Sequence, residues 1–173
     1  MNKKIVAVLL LTIGLLLTFH ALYLIYLRNT KLPVKTDVNL RSERVVPVLV
    51  QIPSLAINVN VTETDLTNNK WPLSNDSALH WKESPLPGQK GNSVIYGHNW
   101  ANLFGNLRQV HPNAEVVIVY SDGSKKQFKI VDTYTVTADE THILNNSTDT
   151  RLTLYNCTGF LDSKRFVAIA IPS

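Results

Sequence analysis

Apolar positions along this chain follow two patterns. The first is continuous: Ile5 to Leu27 (IVAVLLLTIGLLLTFHALYLIYL) carries no formally charged side chain. A run of that length predicts one transmembrane helix with some tilt. A cleaved leader would have a shorter apolar core, roughly 7–15 residues, and a small-x-small cleavage site, which is not found here. An uncleaved anchor over 5–27 is the expectation, with Tyr23 and Tyr26 at the interfacial end and 1–4 as a cytoplasmic N-terminus. His20 lies inside this run and is assigned no function. Lys3 and Lys4 precede it and Arg28, Lys31 and Lys35 follow it, so charge alone does not orient the anchor.

The second pattern starts after a polar, Pro33-containing linker at 28–44. From Val45 onward apolar residues come in short runs rich in β-branched side chains, broken by turn residues. Val45–Val61 contains Pro47 and Pro53, which edge or interrupt strands. Thr62–Asp65 has the composition of a helix cap. Residues 71–92 carry three prolines and two glycines and read as loop. A strand over Ser93–His98, a helical turn around Asn102–Val110 and a strand over Glu115–Tyr120 follow. Ser121–Ser124 then turns into a strand at Lys126–Thr137. A polar loop spans Ala138–Thr148, and the last strands are Thr150–Asn156 and Arg165–Ile171. Short strands at close spacing predict an all-β barrel or sandwich, as one domain over 45–173.

Composition narrows the function. The chain has 173 residues and a net charge of +4, which falls to +2 without Lys3 and Lys4. With no clustered basic stripe, nucleic acid is not an expected partner. There is one cysteine, Cys157, so neither a disulfide framework nor a CxxC metal site is available. An unpaired thiol in an exported domain is either a small buried hydrophobe or a group retained because it reacts.

Neighbouring residues favour reaction. Cys157 ends the run Leu152-Thr153-Leu154-Tyr155-Asn156. Alternation puts Leu152, Leu154 and Asn156 on one strand face and Thr153, Tyr155 and Cys157 on the other. The leucines seek the core, so Cys157 should face a groove. His98 ends another apolar run, two positions after Tyr96. If these strands adjoin, imidazole and thiol meet at their ends, as nucleophilic acyl transfer requires. Arg165 opens the strand after Cys157, and a returning hairpin would bring its guanidinium alongside, suited to a developing oxyanion. Taken singly, Arg165 reads as a surface arginine and His98 as a loop histidine. His80, His111 and His142 read as surface or turn residues. Asp122, Asp139 and Glu140 read as solvated turn residues, and Trp71, Trp81 and Trp100 as packing, with Trp100 close enough to His98 to rim a site. Ser93 lacks a nucleophile-elbow context, and no histidine spacing suggests a metal site.

Together these motifs closely resemble the sortases, membrane-anchored cysteine transpeptidases of the bacterial cell envelope. Thr153–Cys157 matches their TLxTC pattern at all but one fixed position. Gly91–His98 reads GNSVIYGH, like the block around the family histidine. Arg165-Phe166-Val167 sits where the family arginine does, and Ile52–Leu55 resembles the approach to the first strand. The resemblance covers about residues 45–171. It implies a closed eight-stranded β-barrel with short helices. It also implies Cys157 as nucleophile toward a backbone carbonyl in an LPxTG-like sorting signal, His98 as general acid and base, and Arg165 as holder of substrate and oxyanion. Tyr96, Thr153 and Tyr155 would line the substrate groove. The partners implied are secreted proteins with a C-terminal sorting signal and an amine of the cell envelope, with the catalytic domain extracytoplasmic and tethered by one span. Asn156 departs from the usual threonine and should alter packing beneath the site. No apolar segment follows Ile171, unlike the pilin-polymerising type. Glu63, Asp65 and Glu140 are too scattered to support a calcium site, so no cofactor is expected. A cysteine endopeptidase using water, and an inactive sortase-like scaffold, are the competing readings.

Overall fold

The computed structural model describes residues 3–29, 44–66 and 71–173. They fall into two units, divided at Lys31 and Leu32. The first is a single helix, α1 (Lys3–Asn29). The expected span 5–27 is helical throughout, and the helix continues into the first two residues of the expected linker; most of that linker, 30–43, lies outside the described residues. Side chains of α1 are described without a break only over 7–23. Among the described residues no helix is long and apolar enough to cross a membrane, so the expected transmembrane anchor is not supported here. The described apolar side chains of α1 do point outward, with Leu11, Leu15 and Phe19 each about three-quarters exposed.

The second unit closes into a barrel of eight strands: β1 (Pro47–Ile52), β2 (Ile57–Thr64), β3 (Ala78–Trp81), β4 (Gly91–Gly97), β5 (Glu115–Tyr120), β6 (Lys125–Thr137), β7 (Thr150–Thr158) and β8 (Lys164–Pro172). Their order around the barrel is β1-β2-β3-β4-β7-β8-β6-β5. Two neighbours run parallel, β2 with β3 and β4 with β7; the others are antiparallel. The expected short helices are single turns of 3-10 helix, at Pro53–Leu55, Leu107–Gln109, Thr141–Leu144 and Phe160–Asp162. Pro53 leaves the β1 ladder without a donor, and the chain turns there before entering β2. Thr62–Thr64 is strand rather than helix cap. β3 was hidden in the proline- and glycine-rich 71–92 segment.

Strand alternation sorts the side chains into two apolar clusters. Ile95, Leu152, Leu154, Ile118 and Phe128 belong to one that fills the barrel. Val94, Tyr96, Tyr155 and Val167 belong to another on the opposite face of the same strands, with Trp71, Trp81 and Leu144 packed against it. Burying both faces explains why β4 is buried at every position. His80, expected at a surface or turn, is instead wholly buried. Its ring lies 3.6 Å from Glu63 through Nδ1. On the other side, Nε2 lies 3.3 Å from the Ser93 hydroxyl and 3.3 Å from the Pro85 carbonyl oxygen. Desolvation pushes its pKa below the ordinary histidine value.

Candidate active site

Register in the sheet brings the three sequence-predicted residues to one end of the barrel. β4 and β7 run parallel with Tyr96 opposite Tyr155 and Gly97 opposite Asn156. One residue further, His98 and Cys157 come level. β7 and β8 run antiparallel with Cys157 directly opposite Arg165. A parallel pair carries two side chains the same way off neighbouring strands, so residues 59 positions apart in the chain share one rim.

Three supports fix this rim. The Asn156 amide is fully buried and donates to the Phe104 carbonyl at 2.7 Å, tying the end of β7 to the turn after His98. That turn folds back, with Phe104 N–H donating to the His98 carbonyl at 3.1 Å. The His98 ring stacks flat on Trp100, 4.3 Å between centroids and 7° between planes, and neither ring is among the residues that border the cleft beside Cys157. At the far end of β4, Gly91 has φ of +114°, and a Cβ there would come within 2.7 Å of the Pro85 ring and collide with the Asn146 side chain. The glycine that opens the GNSVIYGH block is therefore a packing requirement.

Cys157, His98 and Arg165 are all half-buried. Burial pushes the Cys157 thiol up, opposed by Arg165 and reinforced by Asp162. Burial pushes the His98 imidazole down, opposed by Asp162. Both shifts favour the uncharged forms, thiol and imidazole. Arg165 Nη1 donates to the carbonyl oxygens of Asp162 at 2.7 Å and Lys164 at 2.9 Å. Among the described residues, no carboxylate forms an ion pair with it, so its charge stays available to a ligand.

A cleft of about 140 Å³ runs from this rim, bordered by Cys157, Arg165, Gly97, Tyr96 and Tyr155. Tyr96 and Tyr155 stack at 5.2 Å, with Trp71 edge-on at 5.2 Å from Tyr96. The Tyr96 hydroxyl donates to the Pro72 carbonyl at 2.9 Å. Thr153 does not reach this cleft. It is fully buried, and its hydroxyl donates to Asn92 Oδ1 at 2.6 Å, because β7 at that level is covered by the loop before it. Asn92 holds that loop, donating from Nδ2 to the carbonyls of Ile143 and Asn145. Sequence reasoning missed the outer wall of the cleft: Trp71, Leu73, Thr141, Ile143, Leu144 and Glu140. The apolar pair Ile143-Leu144 inside an otherwise polar loop was the available signal. Among the described residues no group of three or more histidine, cysteine, aspartate or glutamate side chains is gathered to hold a metal.

A family model for the sortase domain matches residues 50–173. The chain belongs to the sortase family. Solved sortases share its fold. Sortase A from Corynebacterium diphtheriae is 25% identical, with a TM-score of 0.65 over 77% of this chain and 63% of that one. Sortase A from Listeria monocytogenes is 25% identical, with a TM-score of 0.62 over 74% of this chain and 87% of that one. A Clostridium perfringens sortase D5 transpeptidase is 20% identical, with a TM-score of 0.63 over 74% and 79%. No curated protein sequence matches the chain. In this sortase, the matched region holds the whole barrel from the middle of β1 and all three rim residues.

Proposed function

We propose that this sortase is a cysteine transpeptidase that cuts an LPxTG-like sorting signal in secreted proteins and joins the new carboxyl end to an amine of the cell envelope. Cys157 Sγ, as thiolate, attacks the scissile carbonyl carbon. Arg165 Nε and Nη2 stabilise the resulting oxyanion. Protonated His98 gives its proton to the departing amine as the C–N bond breaks, leaving a thioester on Cys157. The incoming amine then attacks that thioester, neutral His98 takes the amine's proton, and the thiolate leaves. Tyr96 and Tyr155 form the floor under the substrate chain.

One observation carries this reading: Cys157 stands opposite Arg165 at the head of a cleft, and His98 follows directly on the end of the neighbouring parallel strand β4. Thr153 supports the cleft through Asn92 rather than touching substrate.

The 23-residue uncharged run at 5–27 is the sequence feature that supports a single-pass anchor. This would hold the barrel on the extracytoplasmic side of the cell membrane.

The test mixes the protein with an LPxTG-type peptide and an amine acceptor and weighs the products. A thioacyl adduct on Cys157 and a peptide–amine product are expected, both absent in Cys157→Ala. Hydrolysed peptide alone, with amine present in excess, would make the protein an endopeptidase. No adduct with any sorting-signal peptide would leave the scaffold reading.

A further inference from the structure

The connection between β7 and β8 has a costly backbone. Gly159, Leu161 and Asp162 have φ of 78°, 50° and 58°. Two successive non-glycine residues therefore occupy the left-handed region, which L side chains rarely adopt. Apolar packing does not compensate, since Phe160 and Leu161 are each 85% exposed. The holding contacts are polar. Ser163 C=O accepts from Ala138 N–H at 3.1 Å, which ties the turn to the loop walling the cleft. Asp162 C=O accepts from Arg165 Nη1 at 2.7 Å. Gly159 cannot change easily, because a Cβ there would lie 3.0 Å from the Ser163 hydroxyl and 3.3 Å from the Lys164 stem.

This arrangement orients a guanidinium without neutralising it. A carboxylate partner would hold Arg165 more tightly but would cancel the charge an oxyanion needs. A carbonyl on one nitrogen fixes the fork and leaves Nε and Nη2 open. Asp162 lies in this turn, bonded through its carbonyl to the arginine that stands opposite Cys157, and its negative charge raises the proton affinity of both Cys157 and His98. That charge supports the imidazolium that must protonate the leaving amine and restrains premature ionisation of the thiol.

We propose that Asp162 is a positioning residue of this site: its main-chain carbonyl clasps Arg165 at the cleft, and its carboxylate balances charge between Cys157 and His98. The catalytic benefit rests on the transpeptidase reading above, but the physical effect does not.

Because Cys157 is the only cysteine, iodoacetamide alkylation of the full chain, followed by mass across a pH series, reports this thiol without any substrate. Asp162→Asn keeps the carbonyl and tolerates the left-handed backbone while removing the charge. Its alkylation midpoint should fall below that of the wild type, because the negative charge that raises the thiol is gone. Asp162→Val also removes the charge, but its β-branched side chain resists φ near +58°. Loss of the clasp should raise its midpoint above that of Asp162→Asn, and Arg165→Ala in the Asp162→Asn background should reproduce that rise. In urea all variants should react alike. Coincident profiles for wild type and Asp162→Asn, or for Asp162→Asn and Asp162→Val, would overturn the proposal. If these shifts occur while no sorting-signal peptide is turned over, the transpeptidase reading fails and the positioning role stands.

Discussion

Cys157 and His98 are displaced in opposite directions from their ordinary proton affinities, and burial is the first cause for both. On the proposed mechanism, attack needs a thiolate and protonation of the leaving amine needs an imidazolium. The competent charged pair is therefore a minor form, with its largest share between the two titrations. kcat/KM should trace a bell, with the acid limb below pH 6.5 from His98 and the alkaline limb above pH 9.0 from Cys157. A profile that rises to a plateau through a single thiol titration below neutrality would contradict this. Arg165 makes a second prediction. A lysine ammonium keeps the charge but cannot donate to the Asp162 carbonyl and present two further donors in one plane. Arg165→Lys should lower kcat about a hundredfold, the scale of losing one oxyanion donor, with little change in melting temperature.

Among the elements, the loop between β6 and β7 is held chiefly through one buried side chain. Asn92 donates twice to loop carbonyls and accepts from Thr153, while its own N–H donates to Asn146 at 3.0 Å. Asn92→Ala would leave two buried groups, the Ile143 carbonyl and the Thr153 hydroxyl, without this partner, costing about 2–4 kcal/mol. Denaturant unfolding should show that loss, and peptide KM should rise as Ile143 and Leu144 leave the cleft wall. At this scale the sequence was informative where alternation was clean. Glu115–Tyr120 was read to the residue, and Leu152 and Leu154 facing inward fixed where Cys157 points. It was silent where a short strand carried no alternation. Ala78–Trp81 is buried on both faces at its first three positions, so no period of two marks it. Thr153 misled for a related reason. Strand faces can be read from a chain, but whether a loop covers a face depends on contacts with residues such as Asn92, 61 positions away.

Seen whole, the barrel encloses a titratable group that the chemistry does not use. His80 sits between Glu63 and Ser93 with its proton affinity depressed by burial. The unfolded chain binds this proton more readily than the folded one. Stability is thus fully present above the unfolded value near pH 6.5 and is lost as pH falls through the lower folded value. Melting temperature should drop on acidification below about pH 6.5, before the exposed carboxylates titrate, and His80→Gln should flatten that early part of the curve. An unchanged curve in the variant would assign the acid sensitivity elsewhere.

The parallel pairing of β4 with β7 also sets a timetable. The imidazole is made early and the thiol late, and β5 and β6 must both be laid down between them before the two strands can lie side by side. Such distant pairings close slowly. While the chain is still emerging and folding, the sulfur has neither its acid nor its cation beside it. On the proposed mechanism the thiol is armed only when the last strand seals the barrel, so an incomplete copy carries a disarmed thiol among the other chains it meets.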